Sequence, residues 1–286
     1  MGIFFAVVSS VLQAVAFTVL KKSYETFPTS VMFFFLTIFG ALIWIPYALI
    51  VGFNTDLLGL VLLYALISTI MGQAFPSWTL TKGELGITGS IFATYPMYTV
   101  LFSLGINHET LTLVQWLFIL TTFLGTIVVS LPAKLNKKEL LKSSLVLWPV
   151  AAAVSIGFSD SLSKKIITQA GVEAFLFALA ISQFPIAIAF LRIEHQSMRQ
   201  FTRIIRHLRT YQWSILASFL LVLVLLTLFL AFSYAPASIA APIAGSYPAL
   251  LVILAAIVFK EKITLKKLLG ILLVMAGAIG LGYYSG

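Results

Sequence analysis

Long apolar runs separated by short polar segments make up nearly the whole chain. A bilayer core of about 30 Å is crossed by about 20 predominantly apolar residues in a helix, which satisfies its own backbone hydrogen bonds. Ten such runs are present, here called spans 1 to 10, at residues 2–20, 31–51, 57–80, 85–105, 113–131, 145–163, 174–191, 212–234, 237–259 and 267–284. The pattern predicts an all-α polytopic membrane protein with ten transmembrane helices.

Composition supports this class and excludes others. Residues of the set AVILMFWYC make up 60% of the chain and charged residues 9%, whereas soluble domains are about half apolar and about a quarter charged. An ordinary soluble domain, a disordered chain and a nucleic-acid partner are therefore not expected. There is no Cys, which removes thiolate nucleophiles and cysteine-ligated metals. Span 1 lacks a basic n-region and is followed by Lys21-Lys22, so it is interpreted as a helix and not as a signal peptide.

The basic residues predict an orientation. Each loop is numbered after the span that precedes it, so the odd-numbered loops follow spans 1, 3, 5, 7 and 9. Sixteen of the 18 Lys and Arg residues lie in these loops, and the other two, Lys164 and Lys165, lie between spans 6 and 7. By the positive-inside rule the odd-numbered loops are cytoplasmic and both termini lie outside. In the basic loop 192–211, apolar residues at helical spacing predict a short amphipathic helix in the membrane interface. They are Met198, Phe201, Ile204, Ile205 and Leu208.

The second half of the chain repeats the first. A shift of 152 residues aligns Leu85–Leu131 with Ala237–Tyr283 with 13 identities in 47 pairs, among them Glu109 with Glu261. A shift of 143 places Lys21-Lys22 on Lys164-Lys165. Spans 1–5 thus recur as spans 6–10, and a repeat with an odd number of spans must re-enter the membrane upside down. Two inverted five-helix repeats are the architecture of alternating-access carriers.

The second repeat resembles the EamA repeat of the drug/metabolite transporter superfamily. The resemblance rests on the segments 239–242, 247–248 and 259–264 and on Gly270 and Gly277, with a fainter copy at 107–112 and Gly125. It covers essentially the whole chain and divides it into a first EamA-like repeat (1–131), a basic connecting loop (132–144) and a second repeat (145–286). The resemblance implies a ten-helix transporter without a cofactor, whose cavity is lined by spans 1, 3, 4, 6, 8 and 9. Family members commonly place both termini in the cytoplasm, and this chain's charge pattern predicts the opposite.

Polar and aromatic residues at membrane depth are the candidate substrate contacts. They are Gln13, Trp44, Gln73, Trp78, Tyr95, Tyr98, Asp160, Ser246 and Tyr247. Each could instead join helices, since buried amides and hydroxyls also bond across helix interfaces; Gln183, in a span expected to be peripheral, is assigned that role. Pro96 and Pro248 each remove an intrahelical hydrogen bond near the middle of spans 4 and 9 and predict kinks there. The kinks either line the cavity or serve packing.

Asp160 is the one acid placed well inside a span, and a charge at that depth is a functional hypothesis by default. Coupling to a proton or a cation is one interpretation. The other is an ion pair with Lys164, four residues onward on the same helix face. The aligned position of the first repeat is Phe17, so the repeat does not duplicate the acid.

Glu109 and Glu261 lie in tight turns and are interpreted as structural. Each can accept bonds from the free N–H groups at the start of the next helix, and Glu261 can pair with Lys260 or Lys262. No catalytic residue or metal site is expected, because the three His residues, at 108, 195 and 207, lie in loops without metal-ligand spacing.

The sequence favours a secondary active transporter of an amino acid, an amine or a similar metabolite in a bacterial inner membrane, not an enzyme. No P-loop pattern indicates an ATP site. A membrane enzyme acting on lipid or isoprenoid phosphate is a weaker alternative, as is a channel or a protein that moves lipid or isoprenoid phosphate. The expected partners are the small-molecule substrate and the lipid bilayer, with a proton if Asp160 couples transport, and the chain is expected to be a monomer or a homodimer.

Overall fold

The computed structural model describes residues 1–21, 28–80, 91–131, 143–196, 204, 206 and 208–285. The described chain is all-helical. Nine of its helices are long and apolar enough to cross a membrane, and a tenth, Tyr95–Ile106, is shorter. The protein is an integral membrane protein whose described residues form these ten apolar helices.

The helices are numbered α1 to α10 after the spans they form. They are α1 (Gly2–Lys21), α2 (Thr29–Val51), α3 (Leu58–Ser68, continuing through a π-helical turn at Thr69–Ala74 to Phe75–Leu80), α4 (Tyr95–Ile106), α5 (Leu113–Ser130), α6 (Ser143–Ala170), α7 (Val172–Ile193), α8 (Leu208–Tyr234), α9a (Ala237–Ala244), α9b (Tyr247–Phe259) and α10 (Leu265–Tyr283).

Most predicted spans agree with the helices to within a few residues. The exceptions are α6, which continues to Ala170 where the prediction ended at 163, and span 4, whose helix begins at Tyr95. Residues 85–90 of that predicted span lie outside the described residues, as do residues 197–203, 205 and 207 of the basic loop that carries the predicted amphipathic helix.

The helix packing has the symmetry of the repeat. α2 packs on α7, α5 on α10 and α4 on α9a, and each of these pairs joins a helix to its own counterpart. The contact of α1 with α8 recurs as that of α6 with α3, and the contact of α1 with α9 recurs as that of α6 with α4. Exchanging spans 1–5 with spans 6–10 therefore leaves these contacts unchanged. With five spans in each, the two repeats are inverted relative to each other.

Contacts between loops and helix ends define two faces of the bundle. On one face, formed by the even-numbered loops and here called the even face, Glu109 accepts bonds from the start of α9a. The opposite face, formed by the odd-numbered loops, is called the odd face. There Lys21, at the end of α1, pairs with Glu261, which follows α9b.

The α5–α10 interface explains the repeated glycines. A Cβ at Gly125 would lie 2.7 Å from the backbone nitrogen of Val274, and one at Gly277 would lie 2.7 Å from that of Thr122. Both distances are too short for a side chain. Small residues at such positions let two membrane helices approach backbone to backbone, where packing is the main attraction.

The sequence predicted that the two repeated prolines kink continuous helices. In the structure, neither proline lies within a continuous helix. Pro96 and Pro248 each occupy the first turn of a helix, after breaks at Thr94 and at Gly245–Ser246. Proline is tolerated there because the missing N–H would lack a partner in the helix anyway. The result is a break in place of each expected kink, and the breaks face each other, since Gly245 abuts Pro96.

Candidate functional site: a tyrosine cluster beside a buried acid

Three of the predicted substrate contacts meet where α1, α4, α6 and α9b converge. Tyr95 and Tyr247 are only 6% and 7% exposed, and Tyr98 packs beside them. The ring of Phe17, from α1, lies 5.2 Å from that of Tyr247. We call Phe17, Tyr95, Tyr98 and Tyr247 the tyrosine cluster. It brings aromatic faces and phenol hydroxyls together at the junction of the two repeats, close to both helix breaks.

Asp160 lies beside this cluster and is 6% exposed. Thr99, one turn after Tyr95 on α4, donates a hydrogen bond of 3.0 Å to its Oδ2. The proposed ion pair with Lys164 is absent from the described residues, because Lys164 Nζ donates instead to the carbonyl oxygen of Phe232 on α8, at 2.6 Å. The pairing predicted from i, i+4 spacing is therefore wrong, and a carboxylate lies deep in the bundle without a countercharge among those residues.

A seam of short polar side chains runs from Asp160 toward the even face. Ser161 donates to the Thr99 carbonyl at 3.1 Å, and its hydroxyl lies 2.9 Å from that of Ser103. Asn107, at the end of α4, donates to the Ser161 carbonyl at 3.0 Å. These bonds hold α4 against α6 and fix the position of the acid relative to the tyrosine cluster.

Ser246 and Gln13 lie near the same junction. Ser246, in the break between α9a and α9b, shares a 3.0 Å hydrogen bond with Ser10 on α1 and donates to the Ile243 carbonyl at 2.7 Å. Gln13 is half-buried on α1, next to Ala14, which packs in the tyrosine cluster. The Ser246 hydroxyl thus satisfies the backbone opened by the break and also ties α9 to α1.

The remaining predicted contacts lie elsewhere in the fold. Trp44 is fully buried in the main hydrophobic core. Gln73 accepts a 2.7 Å bond from Gln183, which confirms that Gln183 joins helices. Trp78 stacks edge-on against Trp148, with ring centroids 5.2 Å apart. The structure does not bring these three side chains to the tyrosine cluster, so their part in binding stays a prediction.

Gln73 lies in a feature that the sequence analysis missed, the π-helical turn of α3. The turn ends just before Pro76, whose missing N–H interrupts the regular bonding pattern. Ser155 on α6 donates to the Met71 carbonyl in this turn. Ser159, one helical turn onward, bonds to Ser68 at 3.1 Å. These serines of α6 thus bond to two neighbouring helices: Ser155 and Ser159 bond to α3, and Ser161 bonds to α4.

Glu109 accepts bonds from the start of a helix, but that helix is not the one that follows it in the chain. Its two carboxylate oxygens each accept a 2.8 Å bond, from the N–H groups of Ala237 and Ser238 at the start of α9a. The following helix, α5, is capped by Thr112 and Gln115 in a capping box. One glutamate thus joins the first repeat to the second across the even face.

Glu261 also has a different partner from the expected Lys260 or Lys262. It pairs with Lys21, and the Lys21 ammonium lies 4.8 Å above the centre of the Phe259 ring. The hydrogen bond from Lys21 lowers the pKa of the Glu261 carboxyl below its ordinary value. The pair closes α1 onto the end of α9b at the odd face.

The even face has a pocket of about 450 Å³ at the corresponding place. Its lining includes Asn107, Glu109, Lys164, Lys165, Gln169 and Tyr234. We call it the vestibule. The polar seam ends at its wall, since Asn107 belongs to both.

Sequence reasoning missed three partners of the predicted site residues. Thr99 bonds to Asp160, Phe17 packs on Tyr247, and Ser10 bonds to Ser246. Thr99 and Ser10 carry no signal of their own among many similar hydroxyls. Phe17 had one, because the repeat aligns it with Asp160 and aligns Tyr247 with Tyr95. The two repeats therefore form equivalent pairs: Phe17 contacts Tyr247, and Asp160 lies close to Tyr95.

Comparisons with known proteins agree with this architecture. A crystal structure that bears only the description "Crystal structure of protein" superposes over 99% of this chain and 98% of its own, with a TM-score of 0.77 and 15% identity, which shows the fold alone. No curated protein matches the sequence. The model of the EamA-like transporter family matches twice, at residues 1–131 and 143–283, once for each five-helix repeat. Together these two stretches cover nearly all of the protein, and the chain therefore belongs to the EamA-like transporter family.

Proposed function

We propose that this protein is a secondary active transporter that moves a small organic metabolite, such as an amino acid or an amine, across the membrane by alternating access. The observation that carries the proposal is the exchange symmetry of the helix contacts, with the tyrosine cluster at the junction of the two repeats. Inverted repeats have two equivalent ways of packing, and a site at their junction can open to either side in turn.

The tyrosine cluster is the proposed substrate site. Tyr95 and Tyr247 begin α4 and α9b, directly after the two helix breaks. Broken helices at membrane depth are tolerated where they are buried in protein or line a cavity. A phenol offers a substrate an aromatic face and one hydrogen bond, and Gln13 and Ser246 add polar groups nearby.

Asp160 is the proposed coupling group. It is buried, it accepts a bond from a neutral hydroxyl, and its expected countercharge, Lys164, bonds elsewhere. A carboxyl in such surroundings can exchange a proton or a cation as the site opens to each side, which would tie solute movement to an ion gradient.

The Lys and Arg distribution supports an orientation with the odd face in the cytoplasm and the even face, with its vestibule, outside. A bacterial inner membrane is the proposed location.

Counterflow in proteoliposomes tests the proposal. Vesicles loaded with one unlabelled amino acid or amine at a time receive a trace of the labelled solute, and a carrier gives a transient, saturable accumulation for specific solutes. Tyr247→Phe should reduce this exchange several-fold, whereas Tyr283→Phe, at a position 80% exposed on α10, should leave it unchanged. Flux that rises linearly with concentration and shows no counterflow would indicate a channel. Movement of labelled lipid without solute counterflow would favour a lipid-moving protein.

A further inference from the structure

The two repeats carry the same Lys and Glu at equivalent positions but use them differently. At the odd face Lys21 pairs with Glu261. The equivalent residues at the even face are Lys164 and Glu109, which both line the vestibule. There the glutamate is bonded to the start of α9a and the lysine to the Phe232 carbonyl. The Lys21–Glu261 pair is the only ion pair between described residues, so Lys164 and Glu109 do not pair with each other.

The vestibule therefore has an excess of positive charge. Lys164 and Lys165 are both half-buried and both contribute to its lining. The acid in the lining, Glu109, already has both carboxylate oxygens bonded to backbone N–H groups. A partly desolvated ammonium whose described partner is a neutral carbonyl gains most from an anion, because charge-assisted hydrogen bonds are about twice as strong as neutral ones.

We propose that Lys164 and Lys165 bind the anionic group of a ligand, a carboxylate or a phosphate, in the vestibule. The ligand takes the place at Lys164 that Glu261 takes at Lys21. A pocket of about 450 Å³ is in the usual range for a small organic molecule. The inference rests on the proposed transport function for its meaning, since it favours acidic or zwitterionic solutes over amines as substrates. The same chemistry also occurs in the headgroup of an anionic lipid.

The position suits an entry site on the way to Asp160. Lys164 follows Asp160 by four residues on α6, a rise of about 6 Å along the helix axis. Asn107 lies in the vestibule wall and begins the seam of hydrogen bonds that leads through Ser161 to Thr99. A solute held by its anionic end at Lys164 would therefore lie one helical turn from the buried acid.

A matched pair of probes tests the charge requirement. Thermal unfolding of the purified protein in neutral detergent is followed with benzoate and with benzamide, which differ in charge but hardly in shape. Benzoate should raise the unfolding temperature and benzamide should not, because a ligand that binds only the folded state stabilises it. Lys164→Gln should weaken benzoate binding at least about tenfold, and Lys164→Arg should retain it. Lys262→Gln, which removes the same charge from an exposed position at the odd face, should leave binding unchanged.

Inorganic phosphate and phosphatidylglycerol distinguish the sources of the anion. Stabilisation by benzoate or phosphate that depends on Lys164 supports a soluble ligand, and stabilisation by phosphatidylglycerol alone that depends on Lys164 assigns the site to a lipid headgroup. Benzamide acting as well as benzoate would overturn the proposal. So would the same response of Lys164→Gln and the unsubstituted protein to every anion up to the solubility limit. Because binding is measured without transport, either result is separable from failure of the counterflow experiment.

Discussion

Helices α1 and α6 occupy equivalent places in the two repeats, and they differ most where the chemistry is concentrated. α1 presents Phe17 to a tyrosine and closes its end with the Lys21–Glu261 pair. α6 presents Asp160 at the position of Phe17, and its lysine lines an open vestibule. The two helices thus have equivalent neighbours, but α1 is apolar at this depth and ends in an ion pair, whereas α6 carries an acid at this depth and ends at an open pocket.

This difference suggests how an inverted repeat acquires a direction. Two identical halves would treat the two sides of the membrane alike. Here the buried acid is present in one repeat only, and the ion pair found among the described residues is at the odd face. Under the proposed transport mechanism, the shared contacts provide the two alternative packings, and the residues in which α1 and α6 differ determine what each packing binds.

The largest expected effect comes from removing the acid that distinguishes α6. Asp160→Asn keeps the side-chain shape and the possibility of a bond with Thr99, but it cannot exchange a proton. We expect it to abolish accumulation driven by an ion gradient while sparing solute exchange. Uptake into proteoliposomes with an imposed proton gradient, compared with counterflow in the same vesicles, measures both. Asp56→Asn, at an exposed loop position, is the matched control; unchanged accumulation by Asp160→Asn would end the coupling assignment.

A smaller effect is expected from the part that the two repeats share, the α5–α10 interface. Gly125→Ala places a methyl group 2.7 Å from a backbone nitrogen of α10, so the helices must move apart. Overpacking of this kind typically costs about 1–3 kcal/mol. Gly105→Ala, on α4, meets nothing within 4 Å and should cost no stability. Thermal or denaturant unfolding in detergent compares the two, and equal stabilities would contradict the close packing assigned to this interface.

The smallest effect is expected at the closed face. Because Lys21 lowers the pKa of Glu261, the pair stabilises the folded state above the pKa of an unfolded-chain glutamate, about 4.3. Its contribution is lost as the pH falls through the lower folded-state pKa. Both side chains are partly exposed, so solvent screening limits the effect to about 1 kcal/mol or less. A double-mutant cycle of Lys21→Gln and Glu261→Gln, measured at pH 7 and at successively lower pH, should show a coupling energy that is largest at pH 7 and decreases as the pH falls below about 4.3. A coupling energy that does not decrease with falling pH would contradict the carboxylate as its source.

The sequence predicted the spans and the inverted repeat because both depend on patterns that the bilayer and the repeat impose directly. The breaks before Tyr95 and Tyr247 were expected as kinks, since a Pro in an apolar run does not reveal whether it lies inside a helix or in its first turn. The π-helical turn at Gln73 was missed for a related reason. A shift from i−4 to i−5 bonding depends on which neighbour donates a hydrogen bond to the freed carbonyl, and the donor here, Ser155, is distant in sequence.

The site was predictable as a set of residue types but not as a set of pairs. Tyr95, Tyr98 and Tyr247 do converge, with Asp160 beside them, because the repeat places two of the tyrosines at the equivalent starts of α4 and α9b. The partner of Asp160 was predicted from i, i+4 spacing, which holds on one helix and takes no account of α4 and α8. Those neighbours supply Thr99 to the acid and the Phe232 carbonyl to Lys164.

Alternation between two packings is the central claim, and distances across the two faces test it most directly. The chain has no Cys, so spin labels can be attached only where cysteines are introduced. One labelled pair, Thr110→Cys with Gln169→Cys, spans the two repeats at the even face, and another, Thr29→Cys with Lys262→Cys, spans them at the odd face. Pulsed electron spin resonance in lipid vesicles, without and with the solute found by counterflow, should show that one distance shortens as the other lengthens. Two distances that stay fixed, or that change in the same direction, would contradict alternating access.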